Sequence, residues 1–250
     1  MKITRFAWEG KSRYGLVEDG SILAIEGDVF GEWRRGERVG KLSEVQLLAP
    51  CTPSKIVAVG LNYADHAAET ENPVPAEPLL FLKPPSAVIG PAEAIVRPPI
   101  SQRVDFEAEL AVVIGRRARN IPVEKALDFV LGYTCGNDVT ARDLQHKDGQ
   151  WTRSKGFDTF CPLGPWIVTD LDPNDLAVES RINGQVRQRS RTHNLILPVA
   201  ELLYHITQVM TLEPGDVVMT GTPAGIGALQ PGDRVEVEIQ NIGVLENHVI

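Results

Sequence analysis

The sequence has few cysteines and no long apolar run. Its three cysteines, Cys51, Cys135 and Cys161, form no CxxC pair, so neither a disulfide scaffold nor a thiolate metal site is indicated. We interpret all three as small core residues of a protein in a reducing compartment. The longest apolar stretches, at 56–61 and 110–115, fall far short of the roughly 20 residues that span a bilayer.

Positive charge is also scarce. Lys and Arg total 25 against 33 Asp and Glu, and the formal net charge is -8. Nucleic-acid binding requires a positive surface that neutralises phosphates, so no nucleic-acid partner is expected. Lys2 and Arg5 are not followed by an apolar segment, so the N-terminus does not resemble a secretory signal peptide. We therefore predict a cytoplasmic protein that has no membrane partner.

Short extended segments joined by turns dominate the sequence. Asp19-Gly20 and Asn183-Gly184 each separate two such segments, and both pairs are typical of tight β-hairpins. Strand signals outnumber helix signals, and most connections are turns rather than crossover helices. We therefore predict a β-rich α+β fold and not a doubly wound sheet.

Helices are few, and one domain boundary is indicated. Apolar residues at helical spacing predict a core-facing helix over 198–210, and a proline start signal predicts another over 123–131. The composition changes near residue 50, where a new apolar run follows. We predict a small N-terminal β domain over 1–50 and a larger domain over 51–250.

An acidic pattern opens the segment 105–115. A strand would send Asp105, Glu107 and Glu109 to one face, and the segment then becomes uniformly apolar, as a strand does when it enters a core. Three adjacent carboxylates repel one another, so this face is either a solvated strand edge or the site of a cation. The pattern alone leaves both interpretations open.

Another carboxylate, Asp138, ends an apolar strand. It either caps a helix that begins within the segment 138–145 or contributes a further metal ligand. Ligation by carboxylates alone would select Mg²⁺ or Mn²⁺, because Zn²⁺ prefers His and Cys.

Three further features have both a structural and a chemical interpretation. His66 and Glu69 would face the same way in a helix, where they form either a surface pair or a base oriented by a carboxylate. Lys155 is interpreted as a surface lysine, because the sequence identifies no partner for it. The glycines in 220–227 either form a turn or let backbone amides approach an anion.

Together these segments resemble the fumarylacetoacetate hydrolase family. The similarity lies in six motifs in the same order, namely VGLNYADHAAE, FLKPPSAVIG, DFEAELAVVIG, GYTCGNDVTARDLQ, KGFDTFCPLGPW and GDVVMTGTPAGIG. It covers roughly residues 50–250. The resemblance implies a catalytic domain built on a curved mixed β-sheet or β-roll, the small N-terminal β domain of many bacterial members, and a homodimer.

The resemblance also implies metal ligands, catalytic residues and substrate contacts. Mg²⁺ is the implied metal, with Mn²⁺ as a substitute, and Asp105 is expected to support the ligands without joining them. The implied residues are Glu107, Glu109 and Asp138 for the metal, His66, Glu69 and Lys155 for catalysis, and Arg142, Gln145 and Thr222 for the substrate.

The activity that this resemblance implies is Mg²⁺-dependent hydrolytic or decarboxylative cleavage of a C–C bond. The substrate would be a small 2-oxo acid of the acylpyruvate, fumarylpyruvate or oxaloacetate type, reacting through an enolate. An alternative is an isomerase of 2-hydroxy-dienedioates in aromatic catabolism, which needs proton transfer but no attacking water. A third hypothesis is a non-catalytic protein that binds Ca²⁺ or Mg²⁺ for stability.

Leu61 stands where one branch of the family commonly has a basic residue, which leaves open how a second acidic group would be recognised.

Overall fold

Strands make up most of the structure, a computed structural model that describes residues 1–69 and 75–250. In chain order the strands are β1 (Lys2–Trp8), β2 (Lys11–Glu18), β3 (Ser21–Gly27), β4 (Trp33–Lys41), β5 (Gln46–Leu48), β6 (Ile56–Gly60), β7 (Leu79–Lys83), β8 (Val88–Ile89), β9 (Ala94–Ile95), β10 (Val104–Phe106), β11 (Ala108–Ile114), β12 (Val130–Asn137), β13 (Thr140–Ala141), β14 (Cys161–Val168), β15 (Ala177–Ile182), β16 (Gln185–Arg191), β17 (Val217–Met219), β18 (Gly227–Ala228), β19 (Arg234–Ile239) and β20 (Gly243–Val249).

Short helices connect these strands. The α-helices of the described residues are α1 (Ala64–Glu69), α2 (Arg142–Asp148), α3 (Thr152–Lys155) and α4 (Val199–Val209). Turns of 3₁₀ helix lie at Leu42–Glu44, Pro85–Ala87, Val123–Phe129, Pro173–Asp175 and Thr192–Asn194. None of the helices in these two described ranges is long and apolar enough to cross a membrane.

Three sheets organise the strands. The largest follows the order β4-β3-β2-β1-β14-β12-β11-β17-β6-β7, with β5 added to β1 and β8 added to β14. Most neighbours are antiparallel, but β6 runs parallel to β17 and β8 parallel to β14, so this sheet is mixed. A three-stranded sheet has the order β13-β10-β18, and a five-stranded sheet has the order β16-β15-β19-β20-β9. The predicted β-rich α+β fold is confirmed.

Both predicted hairpins are present. Asp19 and Gly20 have φ of 47° and 72°, and Asn183 and Gly184 have φ of 52° and 79°. These left-handed pairs join β2 to β3 and β15 to β16, and their twist matches that of the strands they connect.

The core surrounds β11, in which every residue is buried. This strand lies between β12 and β17, which cover its edges. Both of its faces are covered as well, because Val112 belongs to one apolar cluster and Val113 to another, and its sequence is accordingly almost continuously apolar. On one face, Leu202, Leu203 and Ile206 of α4 belong to the same apolar cluster as Val112 of β11. The predicted core-facing helix over 198–210 is thus confirmed as Val199–Val209.

A helix is present in the segment 123–131, as predicted, but it is two residues shorter and of the 3₁₀ type. The segment forms a 3₁₀ helix that ends at Phe129, and Ala126 is its buried residue. Val130 already belongs to β12, where it pairs with Ile114 of β11. Pairing with the central strand therefore ends the helical segment early.

Candidate active site

The site forms where the chain passes from one sheet to another. β10 belongs to the three-stranded sheet and β11 to the large sheet, and Glu107 is the single residue between them. Its amide donates to Asn137 Oδ1 at 2.9 Å, and the Asp138 amide donates to its carbonyl at 2.9 Å. The continuous strand predicted over 105–115 is therefore wrong, because the chain leaves the first sheet at Glu107.

This break brings together the three predicted metal ligands. β11 and β12 are antiparallel neighbours, and Ala108 pairs with Asn137, so the start of one strand meets the end of the other. Glu107, Glu109 and Asp138 each offer one carboxylate oxygen, and these oxygens lie within 4.8 Å of one another. All three residues are almost completely buried, so a solvated strand edge does not explain them.

Asp105 does not join this group. Its carboxylate accepts from Arg103 Nε and from Arg142 Nε, each at 2.9 Å. The arrangement agrees with the supporting position expected for Asp105, and it departs from the simple strand alternation that put three carboxylates on one face.

Asp138 does not cap a helix. Helix α2 begins at Arg142 after an extended Ala141, and the Asp138 carboxylate instead accepts from two lysines. Lys83 Nζ donates to Oδ1, and Lys155 Nζ donates to Oδ2 at 2.6 Å. The capping interpretation of Asp138 is therefore wrong.

Lys155 is buried among the carboxylates. Its ammonium also donates to Glu107 Oε2 at 2.8 Å, and its side chain is only 3% exposed. The interpretation as a surface lysine is thus wrong. Its ammonium lies 5.1 Å from the ring centroid of Phe81 and 6.0 Å from that of Trp151, so an aromatic wall flanks it.

The two glutamates differ in their electrostatics. Burial would raise the pKa of Glu107, but Lys155 and Arg142 outweigh it and hold that pKa well below its usual range. Burial, and then the charges of Asp138 and Glu107, raise the pKa of Glu109 well above its usual range. Burial alone would lower the pKa of Lys155, but the negative charges of Asp138 and Glu107 outweigh burial and raise that pKa above its usual value.

A divalent cation fits the three carboxylates. Glu109 accepts from the Gly221 amide at 2.7 Å but has no ion pair with any cationic side chain in the described ranges. A buried carboxylate in that position is costly unless a cation approaches it. The donor set is oxygen alone, which suits a hard ion such as Mg²⁺ or Mn²⁺.

His66 and Glu69 form a pair on α1. His66 Nδ1 lies 3.0 Å from Glu69 Oε2, and Glu69 Oε1 accepts from the Gly225 amide at 3.0 Å. Both side chains line the cavity that also contains Glu107, Glu109 and Asp138. The carboxylate fixes the ring, which favours the proton on Nδ1 and an acceptor at Nε2.

The glycine loop at 220–227 contacts carboxylates of the protein itself. The Gly221 amide donates to Glu109 and the Gly225 amide donates to Glu69. Gly225 has a φ of 101°, and a Cβ there would lie 2.2 Å from the Arg187 carbonyl oxygen. Glycine is required at this position because neither the conformation nor the space permits a side chain.

The three predicted substrate contacts line the same cavity. Arg142 donates through Nη2 to Glu107 and through Nη1 to Gln145 Oε1. Thr222 Oγ1 donates to the Ala108 carbonyl at 2.9 Å and accepts from Gln188 Nε2 at 2.7 Å. These bonds fix both side chains at the cavity wall, and contact with a substrate stays a prediction.

Three further side chains at the site were not predicted from the sequence, namely Lys83, Gln188 and Trp151. Lys83 is 1% exposed and lies in β7 two residues after Phe81, so strand alternation indicates that both face the site. Trp151 packs directly against the backbone of Gly60, because a Cβ on Gly60 would lie 2.6 Å from the Trp151 ring. No local signal identifies Gln188, because its bonds to Thr222 and to the Ala108 amide join distant segments.

The cavity has a volume of about 640 Å³, which suits a small molecule. Its lining includes the apolar side chains of Leu61, Leu79, Phe81 and Ile226. The three carboxylates, Lys155 and Arg142 line the same cavity. The cavity therefore combines an ion-binding group of side chains with apolar surface.

Known proteins share both parts of the sequence. Residues 55–250 match the family model described as fumarylacetoacetate (FAA) hydrolase C-terminal, and residues 1–50 match the model described as Rv2993c-like, N-terminal. Oxaloacetate tautomerase FAHD2A, mitochondrial, from Bos taurus is 47% identical over 83% of this chain and 70% of its own length.

Solved structures match along the whole chain. A 5-carboxymethyl-2-hydroxymuconate delta-isomerase from Mycobacterium smegmatis is 48% identical with a TM-score of 0.94, covering 100% of this chain and 99% of its own. A fumarylacetoacetate hydrolase from Exiguobacterium antarcticum is 39% identical with a TM-score of 0.91 over the same shares of the two chains. With the family model spanning the entire buried carboxylate site, this chain belongs to the fumarylacetoacetate hydrolase family.

Proposed function

We propose that this chain is a Mg²⁺-dependent enzyme that isomerises a small 2-oxo acid through its enolate. The observation that supports this most is that one cavity contains the three carboxylates, Lys155 and the His66–Glu69 pair. Such a site combines a base with groups that stabilise an oxyanion, which are the two requirements for moving a proton next to a carbonyl.

The metal has a defined position in this proposal. A divalent cation held by Glu107, Glu109 and Asp138 would supply Lewis-acid stabilisation of negative charge on the keto oxygen. Mg²⁺ is the proposed ion because the ligands are carboxylates.

Lys155 is the proposed oxyanion partner from the chain itself. Its ammonium lies within hydrogen-bond distance of Glu107 and Asp138, and burial keeps water away from it. A charge fixed in a dry site stabilises a developing enolate oxygen more than a solvated lysine would.

His66 is the proposed base. Glu69 holds Nδ1, so Nε2 is the nitrogen that would take a proton from the carbon next to the keto group. Returning that proton at another carbon completes an isomerisation, and Glu69 stabilises the imidazolium in the interval. Arg142, Gln145 and Thr222 would hold the carboxylate of the substrate.

Two relatives support isomerisation over cleavage. The tautomerase from Bos taurus and the delta-isomerase from Mycobacterium smegmatis are 47% and 48% identical to this chain. The activities that their names give both need proton transfer and no attacking water.

C–C bond cleavage is the second candidate. A His66 oriented by Glu69 would also activate water, and the relative from Exiguobacterium antarcticum is named a hydrolase. Water added to the distal carbonyl of an acylpyruvate would release pyruvate as the enolate, which Lys155 would stabilise. Decarboxylation of oxaloacetate would give the same enolate.

Substrate and product analysis tests these candidates. Oxaloacetate, an acylpyruvate and a 2-hydroxy-dienedioate are each incubated with the protein and Mg²⁺, while enol or diene absorbance and pyruvate release are followed together. A change in enol or diene absorbance without pyruvate release supports isomerisation, and pyruvate release supports cleavage. No turnover of any substrate, with a higher melting temperature in Mg²⁺, would favour a non-catalytic metal-binding protein.

A hydrogen-exchange measurement isolates the proton transfer. In D₂O, the protein with Mg²⁺ should exchange the C3 protons of 2-oxobutanoate, detected by NMR. His66→Ala should slow this exchange, whereas His193→Ala should not, because His193 pairs with Asp175 on the exposed surface. Equal exchange rates in the wild type and His66→Ala would contradict the assignment of the base.

A further inference from the structure

Arg103 lies at the same cavity and takes no part in the proposed reaction. It precedes β10, lines the cavity, and its side chain is 53% exposed. Its Nε donates to Asp105 Oδ1 at 2.9 Å, and its carbonyl accepts from the Arg142 amide at 2.8 Å. The backbone and a buried carboxylate thus fix Arg103 beside Arg142.

The two guanidinium groups are used differently. Arg142 donates hydrogen bonds from Nε to Asp105, from Nη1 to Gln145 and from Nη2 to Glu107. The Nη1 and Nη2 groups of Arg103 have no hydrogen bond or ion pair with any side chain in the ranges that the structure describes. Asp105 therefore orients Arg103 through one edge and leaves the fork of the guanidinium for another acceptor.

Neutralising Asp105 does not require Arg103. Arg142 already donates to Asp105 Oδ2 from a buried position, where a charge pair is least screened. Charge compensation of Asp105 therefore does not by itself account for a second guanidinium on the same carboxylate.

The other two cations that line the cavity, Lys155 and Arg142, already act at the 2-oxo acid end of the substrate in the proposed function. Both lie at the metal-ligand carboxylates, because each donates to Glu107. Leu61, which also lines the cavity, is apolar and offers no charge to a second acidic group. Among the described lining residues, Arg103 is thus the guanidinium best placed to meet an anionic group at the cavity mouth.

We propose that Arg103 is the residue that binds the second carboxylate when the substrate is a 2-oxo dicarboxylate. This inference rests on the proposed function, in which the 2-oxo acid end lies at the metal ligands. A guanidinium fork pairs with a carboxylate through two parallel hydrogen bonds. Arg103 is therefore assigned as a specificity-determining residue that acts on binding.

The test uses pairs of 2-oxo acids that differ in one group and undergo no net conversion, since removal and return of a C3 proton regenerates the same molecule. 2-Oxoglutarate is compared with 2-oxopentanoate, and 2-oxoadipate with 2-oxohexanoate, so that a terminal carboxylate replaces a methyl group at equal chain length. Binding constants are measured by calorimetry at saturating Mg²⁺ for the wild type, Arg103→Gln and Arg103→Lys. Glutamine keeps an N–H for Asp105, which protects the fold of the site.

In the wild type, at least one dicarboxylate should bind tenfold or more tightly than its partner. Arg103→Gln should remove that preference while the monocarboxylate affinity changes less than twofold, and Arg103→Lys should keep part of it. Lys147→Gln, which removes a charge from the exposed face of α2, should leave the preference intact. Raising the salt concentration should reduce it in the wild type, because Arg103 is half exposed.

Two results would overturn the assignment of Arg103. One is an equal loss of affinity for both members of a pair in Arg103→Gln, which would indicate a structural role. The other is an unchanged preference in that variant. Because these ligands are bound and not turned over, failure of the proposed reaction appears separately, as absence of product from the acylpyruvate, oxaloacetate and dienedioate panel.

Discussion

His66 Nδ1 lies 3.0 Å from Glu69 Oε2, while the other oxygen of Glu69 accepts from the Gly225 amide. Glu69 thus joins the imidazole on α1 to the glycine loop that also binds Glu109 through Gly221. The carboxylate therefore orients the ring and fixes α1 against the metal-ligand side of the cavity.

Substitution of this pair should reduce turnover with little effect on stability. General acid–base groups contribute about 10²–10⁴-fold to rate, so His66→Ala should lower kcat by about 10²-fold or more with the preferred substrate. Glu69→Gln keeps a hydrogen-bond acceptor for the ring and should lower kcat less. Steady-state kinetics measure both effects, and His193→Ala is the matched control. A wild-type kcat in His66→Ala would contradict its role.

Lys155→Met should lower kcat while KM changes little, since the proposed oxyanion contact strengthens only as charge develops. The loss of one preorganised donor costs about 10²–10³-fold in kcat. Lys147→Met, on an exposed residue of α2, should behave like the wild type. A variant with a higher KM and unchanged kcat would place Lys155 in substrate binding instead.

Asp216 should be a main source of acid sensitivity. Its buried carboxylate accepts from Ser54 Oγ at 2.6 Å and from the Glu213 amide at 2.8 Å, and it also pairs with Lys55. Burial alone would raise its pKa, but these bonds hold the pKa below its usual range. The folded form therefore binds a proton less readily than the unfolded form.

The pH range follows from that direction. The stability that Asp216 contributes is present above its unfolded pKa and is lost as the pH falls through its folded pKa. Asp216→Asn should lower the free energy of unfolding at pH 7 by about 2 kcal/mol and reduce the loss between neutral pH and pH 3. Urea unfolding measures both, with Asp128→Asn as an exposed control. Parallel pH profiles in the wild type and Asp216→Asn would contradict this.

The cysteines should not react in the folded protein. Cys51, Cys135 and Cys161 are buried, and burial raises the pKa of each to about 12. Thiolate is the reactive form, so a thiol reagent at pH 8 should label none of them until the chain is unfolded, when all three become reactive. Rapid labelling of the native protein would show that one of these sites opens.

The sequence predicted the elements that depend on neighbouring residues. Asp19-Gly20 and Asn183-Gly184 favour left-handed turns by their own conformational preferences, and both form hairpins. The helix over 198–210 follows from the spacing of its apolar residues. The three buried carboxylates that lie together were also predicted as a group, but only because six motifs together resemble a known family.

The features that the sequence did not predict depend on pairing between segments that are distant in the chain, which no local pattern indicates. The change of sheet at Glu107 separates Asp105 from Glu109, although strand alternation put them on one face. The 3₁₀ helix ends at Phe129 because Val130 pairs with β11. Lys83 reaches Asp138 from a strand that is 55 residues away in the chain.

Metal dependence tests the central claim most directly. Glu109 has the least compensated carboxylate of the three ligands, so Glu109→Gln should abolish Mg²⁺ binding in calorimetry, whereas Glu213→Gln on the exposed surface should bind like the wild type.

The same proteins are then assayed after treatment with EDTA. We expect turnover of the 2-oxo acid to disappear in EDTA, to return when Mg²⁺ or Mn²⁺ is added to the wild type, and to stay absent in Glu109→Gln. Turnover that is unchanged in EDTA, or Mg²⁺ binding that survives Glu109→Gln, would contradict a catalytic metal at Glu107, Glu109 and Asp138.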